Sequence, residues 1–190
     1  MKITPISFDS MGIRGMGTFV SAGKYNIFID PGASVVNVRY GLPPSNIEIR
    51  TLDATKRKIY ALLQDTQIVI ISHYDKDHFI QPQDINAKTC YRNKIVLAKE
   101  RRSKCNFRQR KLGKDFELFV RGVCKSLVSA DGKEFNFENV KIKFSHPVEH
   151  GVIKTNQGYV LMTTIDDGTK RFMHCSDVQG PVLRKTADII

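Results

Sequence analysis

The chain has 190 residues, of which 41% are hydrophobic and 26% are charged, a composition typical of a globular domain with its own core. Its formal net charge is +11, and residues 99–125 carry a net +7, from ten Lys or Arg and three Asp or Glu. This charge favours polyanionic partners without specifying one. We expect a single domain over residues 1–190.

The hydrophobic residues are not arranged for a membrane. The longest aliphatic run, Ile68–Ile71, is far too short to span a bilayer, and the first ten residues lack the apolar stretch of a signal peptide. The cysteines are dispersed and form no CxxC pair, which favours reduced core residues over a zinc knuckle or a redox pair. These features predict a cytoplasmic protein without membrane association.

The first third of the chain is predicted to form three strands and then a helix. The strand segments are short and apolar, with a hairpin turn at residues 21–24 between the second and third: KITPISF, GTFVS and KYNIFID. Ser45 stands three residues before Glu48, the capping-box spacing that begins a helix. This helix is predicted to end near Gln64.

The rest of the chain alternates strands with one basic helix. QIVIIS is a continuous apolar run typical of a strand buried on both faces, and IVLA predicts another strand. A basic helical segment over about residues 99–128 contains a helix from about Asn106 to Val128 with one apolar stripe. The remainder reads as hairpins with a turn at Asp167-Gly168: EFNF, VKIKFSH, GYVLMTTI and KRFMHCS.

The five histidines fall into three groups, each at or just after the end of an apolar strand. They are His73, His78, His146, His150 and His174. Strand ends hold side chains rigidly around a common edge, as a metal centre with several ligands requires. The grouping therefore predicts a metal site.

The sequence around these histidines resembles the metallo-β-lactamase fold superfamily. SHYDKDHF is similar to the H-x-H-x-D-H signature of that family, KYNIFIDPG to its early strand ending in Asp and Gly, and SDVQG to its later Asp loop. The order and spacing agree along essentially the whole chain. The segments KITPISFDS, RYGLPP and SDVQGP are most similar to an archaeal branch of hydrolase-like proteins.

The resemblance implies an α+β fold of the αββα type, a two-layer β-sandwich flanked by helices, with two divalent metal ions at one edge of the sheets. It implies that His73 binds the first ion, that Asp77 and His78 bind the second, that His150 is the ligand of the third cluster, and that Asp177 bridges the ions. A water held between two such ions becomes a hydroxide nucleophile, so no Ser or Cys nucleophile is needed.

The chain departs from the family at Asp75, which stands where the family has its second histidine. A carboxylate is a harder ligand than imidazole, so as a ligand Asp75 would favour manganese, iron or magnesium at the first site. Alternatively, Asp75 points to solvent and the first site is weakened. We expect one or two divalent ions, with zinc first and manganese or iron as alternatives.

Three further residues are expected to support the site. The resemblance implies that Asp30 holds the histidine loop by hydrogen bonds without touching metal. His146 is interpreted as a supporting strand-end residue. His174, three residues before Asp177, is either another support or a proton donor to the leaving group, so the catalytic candidates are Asp77 and His174.

These observations predict a metal-dependent hydrolase, with phosphodiester or RNA substrates ahead of lactones, thioesters and β-lactams because of the positive charge. The basic helix is either an ordinary solvated face or a polyanion track, and the residues predicted to contact nucleic acid are Arg108, Arg110, Lys111 and Lys114. The rival hypothesis is a catalytically silent module of the same fold that binds metal or nucleic acid.

The end of the chain carries a separate expectation. The family supplies one more histidine to the second metal, well downstream of the Asp loop, whereas here thirteen residues follow Asp177 and none is histidine. We therefore expect a chain shorter than its relatives, with an incomplete second half. A sheet edge exposed in this way could pair with another copy and form a homo-oligomer.

Overall fold

The computed structural model describes residues 1–151, 156–180 and 183–190, so Pro181 of the SDVQGP segment lies outside the described residues. The described strands are β1 (Lys2–Phe8), β2 (Met16–Ala22), β3 (Tyr25–Ile29), β4 (Ile68–Ile71), β5 (Ile95–Ala98), β6 (Ser126–Ser129), β7 (Glu134–Phe137), β8 (Val140–Phe144), β9 (Val148–Glu149), β10 (Tyr159–Val160), β11 (Thr163–Asp166) and β12 (Arg171–His174). The described α-helices are α1 (Asn46–Gln64), α2 (Ala87–Tyr91), α3 (Phe107–Arg121) and α4 (Arg184–Ala187), and a short 3-10 helix covers Asp9–Met11.

Two sheets form the frame of the molecule. The larger sheet has the strand order β1-β2-β3-β4-β5-β6, antiparallel from β1 to β3 and parallel from β3 to β6. The smaller sheet is antiparallel in the order β12-β11-β8-β7, and β9 pairs with β10 as a separate ribbon. The carboxyl ends of the parallel strands meet at one edge, where the histidine loop begins.

The core consists of two apolar layers, because alternate residues of the larger sheet face opposite sides. One side packs against the smaller sheet through residues such as Ile27, Ile68 and Ile142. The other side packs against α1, α2 and α3 around Phe28 and Phe116. All four residues of β4 are completely buried, as the continuous apolar run predicts. The predicted two-layer sandwich with outer helices is confirmed.

Helix α1 begins as predicted. The Ser45 hydroxyl accepts a hydrogen bond from the Glu48 amide at 3.3 Å, and the Glu48 carboxylate accepts one from the Ser45 amide at 2.8 Å, which completes the capping box. The helix ends at Gln64, also as predicted. Among the described residues, none of the helices combines the length and the hydropathy needed to cross a bilayer.

The basic helix is shorter than predicted. Helix α3 ends at Arg121 with Gly122 as its cap, and residues 126–129 form β6, which pairs in parallel with β5. The prediction of a helix to Val128 was wrong because the strand alternation of β6 keeps Leu127 on the core side just as a helical stripe would. The segment GYVLMTTI is likewise two strands, since the Leu161 amide donates to the Ser72 carbonyl and interrupts the sheet pairing.

Candidate metal centre

A close backbone contact positions the histidine loop. The loop of residues 73–78 follows β4 and packs directly on Gly32, two residues after Asp30 at the end of β3. A Cβ atom at Gly32 would lie 2.4 Å from the Phe79 amide nitrogen and 2.5 Å from the carbonyl carbon and oxygen of Asp77. Only glycine allows this approach, so the Asp-Pro-Gly segment both ends the strand and lets the histidine loop pack against it.

A buried hydrogen-bond network orients the two loop histidines. One oxygen of the buried Asp30 accepts from the Ser72 amide at 2.8 Å, and the other accepts from the Ser72 hydroxyl at 2.6 Å and from His78 Nδ1 at 3.0 Å. The Ser72 hydroxyl in turn accepts from His73 Nδ1 at 2.9 Å. With each Nδ1 occupied by this network, Nε2 is the ring atom that faces the site and can bind a metal ion once it has lost its proton.

Three imidazoles converge on a single carboxylate oxygen. The Nε2 atoms of His78 and His150 lie 3.2 Å from Asp177 Oδ2, and that of His73 lies 3.8 Å away. All three Nε2 atoms are buried and have no hydrogen-bond partner among the described residues. The ligand atoms of His73, His150 and Asp177 also lie within 4.8 Å of one another. Buried polar nitrogens without a partner are costly, so these residues fit a divalent metal ion.

The two loop aspartates face different partners. Asp75 Oδ2 lies 3.7 Å from His73 Nε2 and 3.8 Å from His150 Nε2, so this carboxylate faces the histidines rather than solvent. Asp77 is also buried, but its carboxylate contacts Arg14 at 3.5 Å and has no described contact with the three imidazoles. The ligand roles of both residues stay predictions, with closer geometric support for Asp75.

The charges in the cluster depend on each other. Burial lowers the pKa of His73 below its ordinary value, and the neighbouring His78 lowers it further. Burial also disfavours the charged form of His78, but the carboxylates of Asp30 and Asp177 outweigh it and raise the pKa of His78 well above its usual range. Burial raises the pKa of Asp177, yet His150 and His78 outweigh it and hold that pKa well below the ordinary carboxyl value. The cluster therefore holds protons that a metal ion would displace.

The other two predicted histidines lie outside this convergence. His174 is buried at the end of β12, and its Nε2 donates to the Met16 carbonyl at 2.8 Å. Burial lowers the pKa of His174, and the neutral ring has no second proton to give. The geometry thus favours the supporting role, which was one of the two alternatives for His174, and the proton-donor role stays a prediction. His146 is exposed, with its ring near Gly132 and no described contact to the cluster, so its supporting role stays a prediction.

The cluster lies beside an open cavity of about 840 Å³. His150 and Asp177 line one part of it, and the rim holds two arginines, Arg14 and Arg108. Arg108 reaches Asp75 at 3.2 Å. Of the residues predicted to contact nucleic acid, Arg108 alone lines this cavity; three others are exposed along α3, namely Arg110, Lys111 and Lys114.

Sequence reasoning missed several residues of the site. Ser72 could have been noticed because it lies directly between the buried strand and His73. Ser176, whose hydroxyl is 2.7 Å from that of Ser72, is next to the predicted Asp177 in the same way. Arg14 carries no signal in the sequence, because its place at the rim depends on the connection between β1 and β2.

Comparison with solved structures places the chain among proteins of the metallo-β-lactamase fold. It superposes on a possible metal-dependent hydrolase from Veillonella parvula with a TM-score of 0.60 at 12% identity, covering 93% of this chain and 64% of that one. It superposes on the metallo-β-lactamase fold protein YhfI from Bacillus subtilis with a TM-score of 0.52 at 14% identity, covering 92% and 61%. The isothiocyanate hydrolase from Delia radicum gut bacteria gives a TM-score of 0.55 at 16% identity, covering 98% and 66%. The fold implied by the histidine motif is confirmed.

Within that fold, the chain belongs to the UPF0282 family of archaeal proteins. It is 36% identical over 198 residues to UPF0282 protein MJ1629 of Methanocaldococcus jannaschii, covering all of this chain and 67% of that protein. It is 37% identical over 187 residues to UPF0282 protein TK1681 of Thermococcus kodakarensis, covering 94% and 62%. The chain thus spans about three fifths to two thirds of the length of these relatives. No protein-family model matches the chain.

Proposed function

We propose that this chain carries the metal centre of a metal-dependent hydrolase. The observation that carries the proposal is the set of three buried Nε2 atoms, on His73, His78 and His150, that face one oxygen of Asp177 without any described hydrogen-bond partner. Such a set beside an open cavity gives an ion both ligands and access to substrate.

Each residue has a role that follows from its place. His73, His150 and Asp75 would hold one ion, His78 would hold a second, and Asp177 would lie between them. The ions would supply Lewis-acid polarisation of the substrate and a lowered pKa for a bound water. Asp30, through Ser72 and His78, keeps the rings in the orientation that the ions need. Zinc suits this imidazole-rich set, and manganese or iron is favoured as far as Asp75 is a ligand.

The neighbours in fold support the reaction class. Two of the superposed structures are named a possible metal-dependent hydrolase and an isothiocyanate hydrolase. Both names describe hydrolases, but the substrates of those proteins do not identify the substrate of this chain. For this chain we propose a phosphodiester, RNA included, because Arg14 and Arg108 stand at the rim beside the cluster.

Two partners belong to the proposal. The exposed basic residues of α3, namely Arg110, Lys111 and Lys114, would contact the phosphates of a nucleic acid that reaches the cavity past Arg108. The outer strands of the smaller sheet, β7 and β12, would allow two copies to pair edge to edge. Measurements of molecular size at several protein concentrations test whether two copies pair in this way.

The metal centre is tested with two histidines from one short segment. His150→Ala removes a convergent Nε2, whereas His146→Ala changes an exposed ring that lies apart from the cluster. We expect His150→Ala to lose at least one equivalent of bound metal in elemental analysis, and His146→Ala to keep the wild-type content. A His150→Ala protein with full metal content would overturn the proposed site.

The reaction is tested with a panel of phosphodiester and carboxylic ester substrates. We expect wild type and His146→Ala to hydrolyse a phosphodiester and His150→Ala to lose that activity. Full metal content in wild type without hydrolysis of any substrate would instead identify a silent metal-binding module.

A further inference from the structure

An exposed aromatic ring stands at the cavity rim between polar neighbours. Phe107, the first residue of α3, lines the cavity and is 85% exposed, whereas phenylalanine is usually buried. Resting on the proposed function, we propose that Phe107, Arg108 and Arg14 form a nucleotide-binding subsite. In this subsite the ring of Phe107 stacks on a base and the two guanidinium groups bind the adjoining phosphate.

The backbone beneath Phe107 is held firmly on both sides. The Asn106 side chain caps α3 by accepting from the Gln109 amide at 2.8 Å, and its amide group donates to the Asn156 carbonyl at 2.7 Å. The buried Gln109 side chain accepts from the Tyr159 amide at 3.4 Å. The ring of Phe107 is thus presented from a fixed helix end, so little ordering is needed when a ligand stacks on it.

Within residues 1–151, 156–180 and 183–190, both arginines keep donors free for an anion. Arg108 contacts Asp75 at 3.2 Å and Arg14 contacts Asp77 at 3.5 Å, each through a single guanidinium nitrogen. Their side chains are 62% and 49% exposed, respectively. A guanidinium has five N–H donors, so each arginine has further donors that no described residue uses.

The charges of the site also favour an anion. Four carboxylates surround the cluster, on Asp30, Asp75, Asp77 and Asp177, and two divalent ions would balance them. Asp9 also lines the cavity and offsets one of the two arginines, which leaves a net charge of +1 at the rim to attract a phosphate. A small carboxylate would satisfy this charge as well, but it would leave the exposed Phe107 without a role.

The ring and the arginines together indicate a nucleotide. Every base has a face that can stack on an aromatic side chain, and such stacking tolerates any base sequence. The cavity of about 840 Å³ is large enough to hold a small-molecule ligand beside the metal cluster. The subsite therefore selects phosphodiesters with a base next to the phosphate.

Calorimetric titrations of the full chain, loaded with zinc and freed of excess metal, test this subsite. The ligands are inorganic phosphate, adenosine and adenosine 5′-monophosphate. We expect the monophosphate to bind more tightly than phosphate. Phe107→Ala should weaken binding of the monophosphate by about fivefold to about a hundredfold and leave phosphate binding unchanged. Phe107→Tyr should restore the affinity.

The arginine variants and a control separate the contributions. Arg14→Gln and Arg108→Gln should each weaken both phosphate and the monophosphate. Leu118→Ala removes an exposed apolar side chain elsewhere on α3 and should change nothing. Equal affinity of wild type for phosphate and the monophosphate, or unchanged binding in Phe107→Ala, would overturn the subsite. Metal uptake is measured separately in each sample, so loss of the metal centre and loss of the subsite are distinguishable.

Discussion

Replacing Asp30 with Asn tests the hydrogen-bond network under the metal centre. The substitution keeps the size of the side chain and keeps one oxygen for the Ser72 amide. It turns the other oxygen into an NH₂ group that faces three donors, the Ser72 hydroxyl, His78 Nδ1 and, at 3.5 Å, the Ser176 hydroxyl. Each hydrogen bond to a charged acceptor contributes about 1.5–3 kcal/mol, and leaving a buried donor unpaired costs about 1–3 kcal/mol. Because Ser72 can rotate to a new partner, we expect the free energy of unfolding to fall by about 3–5 kcal/mol.

The assay is urea unfolding of the chelator-treated protein, so that bound metal does not add to stability. Asp53→Asn, at an exposed position of α1, is the matched control and should change stability by less than about 0.5 kcal/mol. Zinc affinity of Asp30→Asn should also fall by about 10–100-fold, because its histidines lose their fixed orientation. A loss below about 1 kcal/mol together with unchanged zinc affinity would refute the reasoning.

Three further outcomes are expected. Gly32→Ala should abolish metal binding or folding, because its Cβ would lie 2.4–2.5 Å from backbone atoms of the histidine loop. In the control Gly122→Ala the nearest atom to the new Cβ would be 3.7 Å away, so this variant should unfold at the same temperature as wild type in a thermal unfolding assay. Zinc binding at pH 7 should release protons and strengthen as pH rises, because the pKa values of His78 and His150 are raised in the metal-free protein; titrations in buffers of different ionisation enthalpy would contradict this by showing no release. The last variant combines four substitutions in α3, namely Arg108→Gln, Arg110→Gln, Lys111→Gln and Lys114→Gln. In this variant, the slope of log affinity for RNA against log salt concentration should flatten by about 0.7 for each single-strand phosphate that the protein no longer binds. An unchanged slope would exclude the proposed polyanion track.

The features that local sequence determines could be predicted. The capping box of Ser45 and Glu48 acts over three residues, and both its hydrogen bonds are present. The apolar run of β4 needs only its own four residues to indicate burial on both faces. The order of the histidine and aspartate motifs carried the resemblance to the metallo-β-lactamase fold superfamily, and that resemblance implied the fold.

The features that depend on distant contacts could not be predicted. Leu127 fits a helical stripe and a strand face equally well, and pairing with β5 decides between them. Asp77 belongs to a ligand motif, yet its carboxylate faces Arg14, which lies 63 positions earlier in the chain. His146 and His150 stand in one short segment with similar neighbours, and only the path of the backbone after β8 makes one exposed and the other buried.

The central claim is that His73, His78 and His150 hold metal around Asp177. The most direct measurement is anomalous diffraction at the zinc absorption edge from crystals of the zinc-loaded protein. The account predicts one or two peaks about 2.0–2.1 Å from the Nε2 atoms of these histidines. A zinc-loaded crystal with no peak among the three rings, or with its peaks only at surface residues, would contradict it.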